Sequence, residues 1–149
     1  MSRVAAGVIG FAIGISVVTA TAQTGRRYVN PRSAANPEHA TQPPFSEAAV
    51  VGNTAYLAGV LGTGDTAEAA AKTGLDAIQA ELKGAGMTMD DLVSVQIFCP
   101  DAANAATYDA FNKVYRTYFT KEFPARAFLG SGPLLRGARF EIQGIAVKR

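Results

Sequence analysis

Cysteine and histidine occur once each in the 149 residues, as Cys99 and His39, and tryptophan is absent. A single thiol excludes an intrachain disulfide and a cysteine metal cluster. A single imidazole leaves a histidine zinc site, or a Ser-His-Asp triad, to be served by one residue alone. Charge is sparse as well. Charged residues make up 17% of the chain and the formal net charge is +2, against about a quarter charged in ordinary soluble domains. That balance does not build a nucleic-acid surface. Gly59, Gly62 and Gly64 are not followed by Gly-Lys-Ser/Thr, so a phosphate-cradling loop is disfavoured; a turn, or a close backbone approach to a ligand, is the better reading.

Apolar residues, in contrast, make up 48%. Part of that excess sits at the N-terminus. Arg3 precedes an uncharged, mostly apolar run over 4–18, too short to span a bilayer comfortably, and Ala20-Thr21-Ala22 forms a small-x-small cleavage site. The pattern predicts an export signal over residues 1–22. Its removal would leave an exported, periplasmic protein beginning at Gln23, with no stable membrane association. Residues 23–43 are polar and broken by Pro31 and Pro37, an extended lead-in whose His39 reads as a solvated loop residue. A domain over 44–149 follows, long enough for one core.

Residues 48–51 and 54–61 read as a hairpin turning at Gly52-Asn53. Asp65 or Thr66 can cap a helix running to about 85, with Ala71, Leu75, Ile78, Leu82 and Ala85 as its apolar stripe. Gly74 within it either weakens the helix or permits close contact with a sheet. Residues 93–98 alternate as a strand, closed by Cys99, for which a buried, inert thiol is the simplest reading. A second helix spans about 104–119, with Tyr108, Phe111, Tyr115 and Tyr118 on one stripe that reads as core. Asn112 sits beside that stripe, where helical position alone favours solvent over a cleft.

Residues 123–147 carry the most telling chemistry. They read as two strands joined by a tight Gly/Pro-rich connection, with Arg126 on the first and Glu141, between Phe140 and Ile142, on the second. A carboxylate among apolar neighbours in a strand is costly unless something pairs with it or uses it. Arg126 is expected to be that partner, either in an internal salt bridge that holds the sheet or through a shared ligand. The order is β-β-α-β-α-β-β, an α+β fold with two helices on one face of a mixed sheet. Apolar side chains alternate on both faces of the last strands, and no segment remains to cover the second face. A closed homo-oligomer is the economical answer, with ligand sites at subunit boundaries.

Phe123-Pro124-Ala125-Arg126 and the run from Gly137 to Val147, GARFEIQGIAV, resemble the PAR…G…EIEAIAV signature of the Rid family of reactive-intermediate (enamine/imine) deaminases, also called YjgF or L-PSP-like endoribonuclease proteins. Residues 108–119 with Asn112, Pro44-Phe45-Ser46, Val51-Gly52-Asn53 and Ala58-Gly59 resemble further parts of the pattern, over about 44–147. The resemblance implies a chorismate-mutase-like sandwich that assembles as a homotrimer with clefts between subunits. It also implies hydrolysis of 2-imino or enamine acids to 2-keto acids and ammonia, without metal or organic cofactor. Arg126 would anchor the substrate carboxylate, Glu141 would orient the attacking water and pass its proton, and Gly59 would offer a backbone donor. Asn112, Phe45 and Phe128 would line the substrate site. A planar guanidinium suits two parallel bonds to a carboxylate, as lysine does not.

The chain departs from that pattern in ways that dry the cleft. Phe45 stands where the family has tyrosine, Ala58-Gly59-Val60 where it has Ser-Gly-Gln, and Phe128 where cysteine is frequent. The segment between the second strand and the first helix is short. These departures keep a second reading open, a non-catalytic protein of the same fold that binds a small carboxylate. Ribonuclease activity, the other function the family name suggests, lacks a histidine pair and a basic-aromatic surface.

Overall fold

The computed structural model describes residues 25–29 and 44–149. The export signal, His39 and most of the lead-in lie outside the described residues. Among those described, seven strands form one sheet and two α-helices pack on one of its faces. In chain order they are β1 (Arg26–Val29), β2 (Ala48–Val51), β3 (Thr54–Leu57), β4 (Val60–Gly62), α1 (Ala67–Ala85), β5 (Leu92–Cys99), α2 (Ala105–Tyr115), β6 (Ala125–Gly130) and β7 (Phe140–Val147). The sheet runs β1-β2-β3-β7-β5-β6, with β4 also on β7. It is mixed: β5 and β6 are parallel and the other pairs antiparallel.

The first helix forms where its cap and stripe predict, and the second starts where its stripe does. Thr66 accepts from the Ala69 amide at 3.1 Å, and Gly86 closes α1 in the left-handed conformation at φ 77°, as a C-terminal glycine should. Ala71, Leu75, Ile78, Leu82 and Ala85 are all buried against the sheet, each leucine or isoleucine contributing about 1.5–3 kcal/mol relative to exposure. A Cβ on Gly74 would sit 2.8 Å from Ile142 Cδ1 and 3.3 Å from Gly62 Cα. The helix therefore crosses β4 glycine against glycine, which offsets the roughly 1 kcal/mol that glycine costs a helix. Asn104 caps α2 through the Ala106 amide at 3.0 Å. α2 ends at Tyr115, and Arg116–Tyr118 follow as a 3₁₀ turn, so the expected helix to 119 tightens in its last turn.

Three sequence expectations change. Arg26–Val29, placed in the extended lead-in, pair as an edge strand with β2. The strand expected over 54–61 is broken. Tyr56 faces Ile145 and Val60 faces Ile142, so Leu57, Ala58 and Gly59 oppose only Gln143 and Gly144, and the extra residue bulges the chain. Finally, β6 and β7 are not a hairpin. β5 lies between them, parallel to β6 and antiparallel to β7. Adjacent strands sit only about 4.8 Å apart, so the connection over 131–139 easily steps past β5. The α2 crossover, which a parallel β5–β6 pair requires, places β6 at the sheet edge.

The two faces of the sheet differ. Ala55, Ile97, Phe140, Ile142 and Ala146 are fully buried beneath the helices. The other face presents Tyr56, Val93 and Leu129, exposed by 52%, 46% and 37%, together with a Gln143–Gln96 hydrogen bond of 2.6 Å. The uncovered apolar face expected from the alternation is thus present in the protomer.

Candidate functional site

Arg126 lies on the edge strand β6, in register with Val95 of β5. Val95 is buried under the helices, and paired residues share a face, so Arg126 projects toward α2. Two tyrosines of that helix hold it. The guanidinium carbon sits 4.8 Å from the Tyr115 ring centroid and 5.6 Å from that of Tyr108. Its Nη2 donates to the Tyr108 hydroxyl at 3.1 Å. Cation–π contact and one hydrogen bond fix the planar fork while leaving other N–H donors for a ligand.

Tyr115 is 3% exposed, and its hydroxyl makes no hydrogen bond among the described residues. Burial pushes its phenol up to about 12, with the Arg126 charge opposing. The hydroxyl is therefore a protonated donor at any physiological pH. Asn112, Tyr115, Arg116, Phe123, Pro124 and Arg126 line a cleft of about 220 Å³. Among the described residues no carboxylate lines it. Asn112 thus faces the cleft, although helical position alone favoured solvent. Phe128 backs the arrangement, edge-on to Tyr108 at 5.1 Å and to Phe111 at 5.5 Å.

Glu141 is elsewhere. It pairs with Phe98 of β5, whereas Arg126 pairs with Val95. Positions 95 and 98 differ by three on a strand of period two, so the two side chains leave opposite faces of the sheet. The expected pairing of Arg126 with Glu141 inside one chain does not occur. Among the described residues the one ion pair is Lys72–Asp76, and the reading of Arg126 and Glu141 as an internal salt bridge falls with it. The hairpin expectation had made them neighbours; the insertion of β5 separates them.

Glu141 does meet Gly59. A Cβ at Gly59 would collide with the Glu141 carboxylate, so the bulge after β3 brings a bare backbone segment under that side chain. The six expected site residues therefore divide. Arg126 and Asn112 share the cleft and Phe128 packs behind it; Glu141 and Gly59 meet on the uncovered face. Phe45, just before β2, is 64% exposed. Cys99 is buried and its thiol is pushed up by that burial, as an inert core residue requires. The sequence reading missed Tyr108 and Tyr115 as arginine holders. Their one signal was a hydroxyl at two positions of an aromatic stripe where phenylalanine would have sufficed for a core.

Known proteins are similar to this chain. The profile of the family described as Endoribonuclease L-PSP matches residues 35–148. A 2-iminobutanoate/2-iminopropanoate deaminase of Dermatophagoides farinae is 34% identical over 113 residues, covering 70% of this chain and 85% of that protein. The human protein of the same name is 31% identical over 114 residues, covering 70% and 80%. Among solved structures, RidA from the Antarctic bacterium Psychrobacter sp. superposes with a TM-score of 0.65 at 26% identity, covering 71% of this chain and 89% of its own. The YjgF product of Escherichia coli gives 0.65 and 26% over the same shares.

Proposed function

We propose, for a chain that belongs to the endoribonuclease L-PSP (Rid, YjgF) family, that it hydrolyses 2-imino acids to 2-keto acids and ammonia. The observation that carries this reading is the Arg126 guanidinium, held between two tyrosines in an open cleft and paired with no carboxylate among the described residues. Its fork donates two parallel hydrogen bonds to the substrate carboxylate. That contact fixes the C=N carbon one bond away. A carboxylate then orients a water at that carbon. The water oxygen bonds to C2 as the imine nitrogen takes a proton. The new hydroxyl returns its proton through the carboxylate to the amine, the C–N bond breaks, and ammonia leaves a 2-keto acid. Curated relatives named for 2-iminobutanoate and 2-iminopropanoate support small 2-imino acids as the class.

Glu141 supplies that carboxylate from a second copy. It cannot reach the Arg126 cleft of its own chain, because the sheet stands between them. The uncovered apolar face supports an assembly that brings the two half-sites together, and the family resemblance supports three copies. Phe45 and Gly59 would then join the cleft with Glu141. The apolar run over 4–18 supports export, and the N-terminal mass of the protein recovered from a periplasmic extract checks cleavage before Gln23.

The test is ammonia release from an imine made in situ by an amino-acid oxidase. Arg126→Ala and Glu141→Gln are each expected to be inactive. Unfolded and refolded together in equal amounts, they should regain about a quarter of the wild-type rate, the share of intact sites in a random cyclic assembly. An Arg126→Ala protein as active as wild type refutes the function. No recovery on mixing refutes the divided site. Stabilisation by 2-keto acids without any turnover returns the protein to carboxylate binding alone.

A further inference from the structure

We infer that Arg116 is a second anion-holding residue of the same cleft, and that the preferred substrate is a 2-imino acid with a second acidic group. This rests on the imine-hydrolysis reading above. Arg116 opens the 3₁₀ turn after α2 and lines the cleft beside Arg126. Its guanidinium carbon lies 5.9 Å from the ring centroid of Phe123, itself 52% exposed. Stacking on a ring orients a guanidinium without satisfying its donors. Arg116 has no ion pair among the described residues, nor has Arg126. Within one chain, among the described residues, the cleft thus contains two oriented cations, one amide and no anion, and the Glu141 carboxylate brought by a second copy is engaged by the attacking water. A monocarboxylate answers only one of the cations. A dicarboxylate answers both, with its α-carboxylate on the more buried Arg126 and its distal carboxylate on the exposed Arg116. The exposed position of Arg116 limits the gain to about fivefold and makes it sensitive to salt.

The experiment compares imines generated in situ from aspartate or glutamate with imines generated from alanine and phenylalanine. The readout is the ratio of kcat/KM values, dicarboxylate over monocarboxylate. Wild type is expected to favour the dicarboxylate. Arg116→Gln should lower the ratio about fivefold. Lys113→Gln, which removes an equal charge from an exposed position outside the cleft, should leave it unchanged. Calorimetric titration with 2-oxoglutarate and with 2-oxobutanoate gives the same comparison without chemistry. A wild-type preference for either monocarboxylate, or a ratio that Arg116→Gln does not move, overturns the inference while the reaction stands. If neither imine is turned over, the imine-hydrolysis reading fails, and the titrations decide the anion site by themselves. Tighter 2-oxoglutarate binding that Arg116→Gln abolishes keeps it; equal binding of the two acids ends it.

Discussion

One sheet carries two faces built to different rules. Beneath the helices, aliphatic and aromatic side chains interlock, and Arg126 enters at the sheet edge, held by two tyrosines of α2. On the other face, Tyr56, Val93 and Leu129 stand half exposed among Gln96, Gln143 and Glu141. The first face is complete within one chain and encodes the fold. The second is uncovered in the protomer, with apolar side chains exposed among polar ones. Arg126 leaves the first face and Glu141 the second.

The largest effect should come from the covered face. Phe140 is fully buried and meets Phe111 at 4.8 Å. Phe140→Ala should cost about 3–5 kcal/mol of unfolding free energy, read by denaturant titration. A loss below about 1 kcal/mol would mean that the covered face is not what holds the protomer together.

The covered side also contains a buried carboxylate, Glu81 of α1. It is 4% exposed, and its Oε2 makes no hydrogen bond among the described residues. Burial first, then the neighbouring Glu47, pushes its carboxyl from 4.5 up to about 8. A raised carboxyl binds its proton more tightly folded than unfolded. Its contribution is complete below the ordinary carboxyl range and is lost as pH rises toward about 8. Glu81→Gln should be near-neutral at pH about 4 and stabilising by about 1–3 kcal/mol above pH about 8. Thermal melts across that range check it, and parallel curves for the two proteins would contradict it.

What could be read from the sequence follows the same division. The sheet-facing stripe of α1 and its N-cap depend on local spacing, and local spacing was visible. The separation of Arg126 from Glu141 depends on where β7 inserts, a non-local pairing that no periodicity records. Reading 123–147 as a hairpin was the natural local inference, and it put the two residues side by side. The bulge at Ala58–Gly59 was equally hidden, since it exists only against β7. Nothing local marks Glu81 as buried, since a carboxylate in a helix is exposed by default. Tyr115 passed as core because a ring buried for packing and a ring buried to hold a cation look alike.

A sharper probe of the uncovered face is Gly59→Ala. The new methyl would displace the Glu141 carboxylate, the far end of a flexible side chain, so the fold should lose little. The catalytic geometry should suffer more. A shift on the order of 1 Å costs up to about 10²-fold in rate, so kcat is expected to fall by about ten- to a hundredfold with the melting temperature nearly unchanged. An unaltered kcat would place the working carboxylate somewhere other than over Gly59.

The smallest effect on the protomer, and the most direct on the contrast between faces, should come from Leu129→Glu. Leu129 is 37% exposed on the uncovered face of the edge strand β6. Nothing in the protomer core needs it, so circular dichroism should remain native and the fold should change by less than about 0.5 kcal/mol once assembly is accounted for. A charge there would have to be desolvated in any subunit contact, at a cost of several kcal/mol. Light scattering should therefore report the mass of a single chain, and imine hydrolysis should vanish although Arg126 and Glu141 are both intact. An active single chain would mean that one protomer can bring both groups to a substrate, which the opposite faces of Val95 and Phe98 forbid.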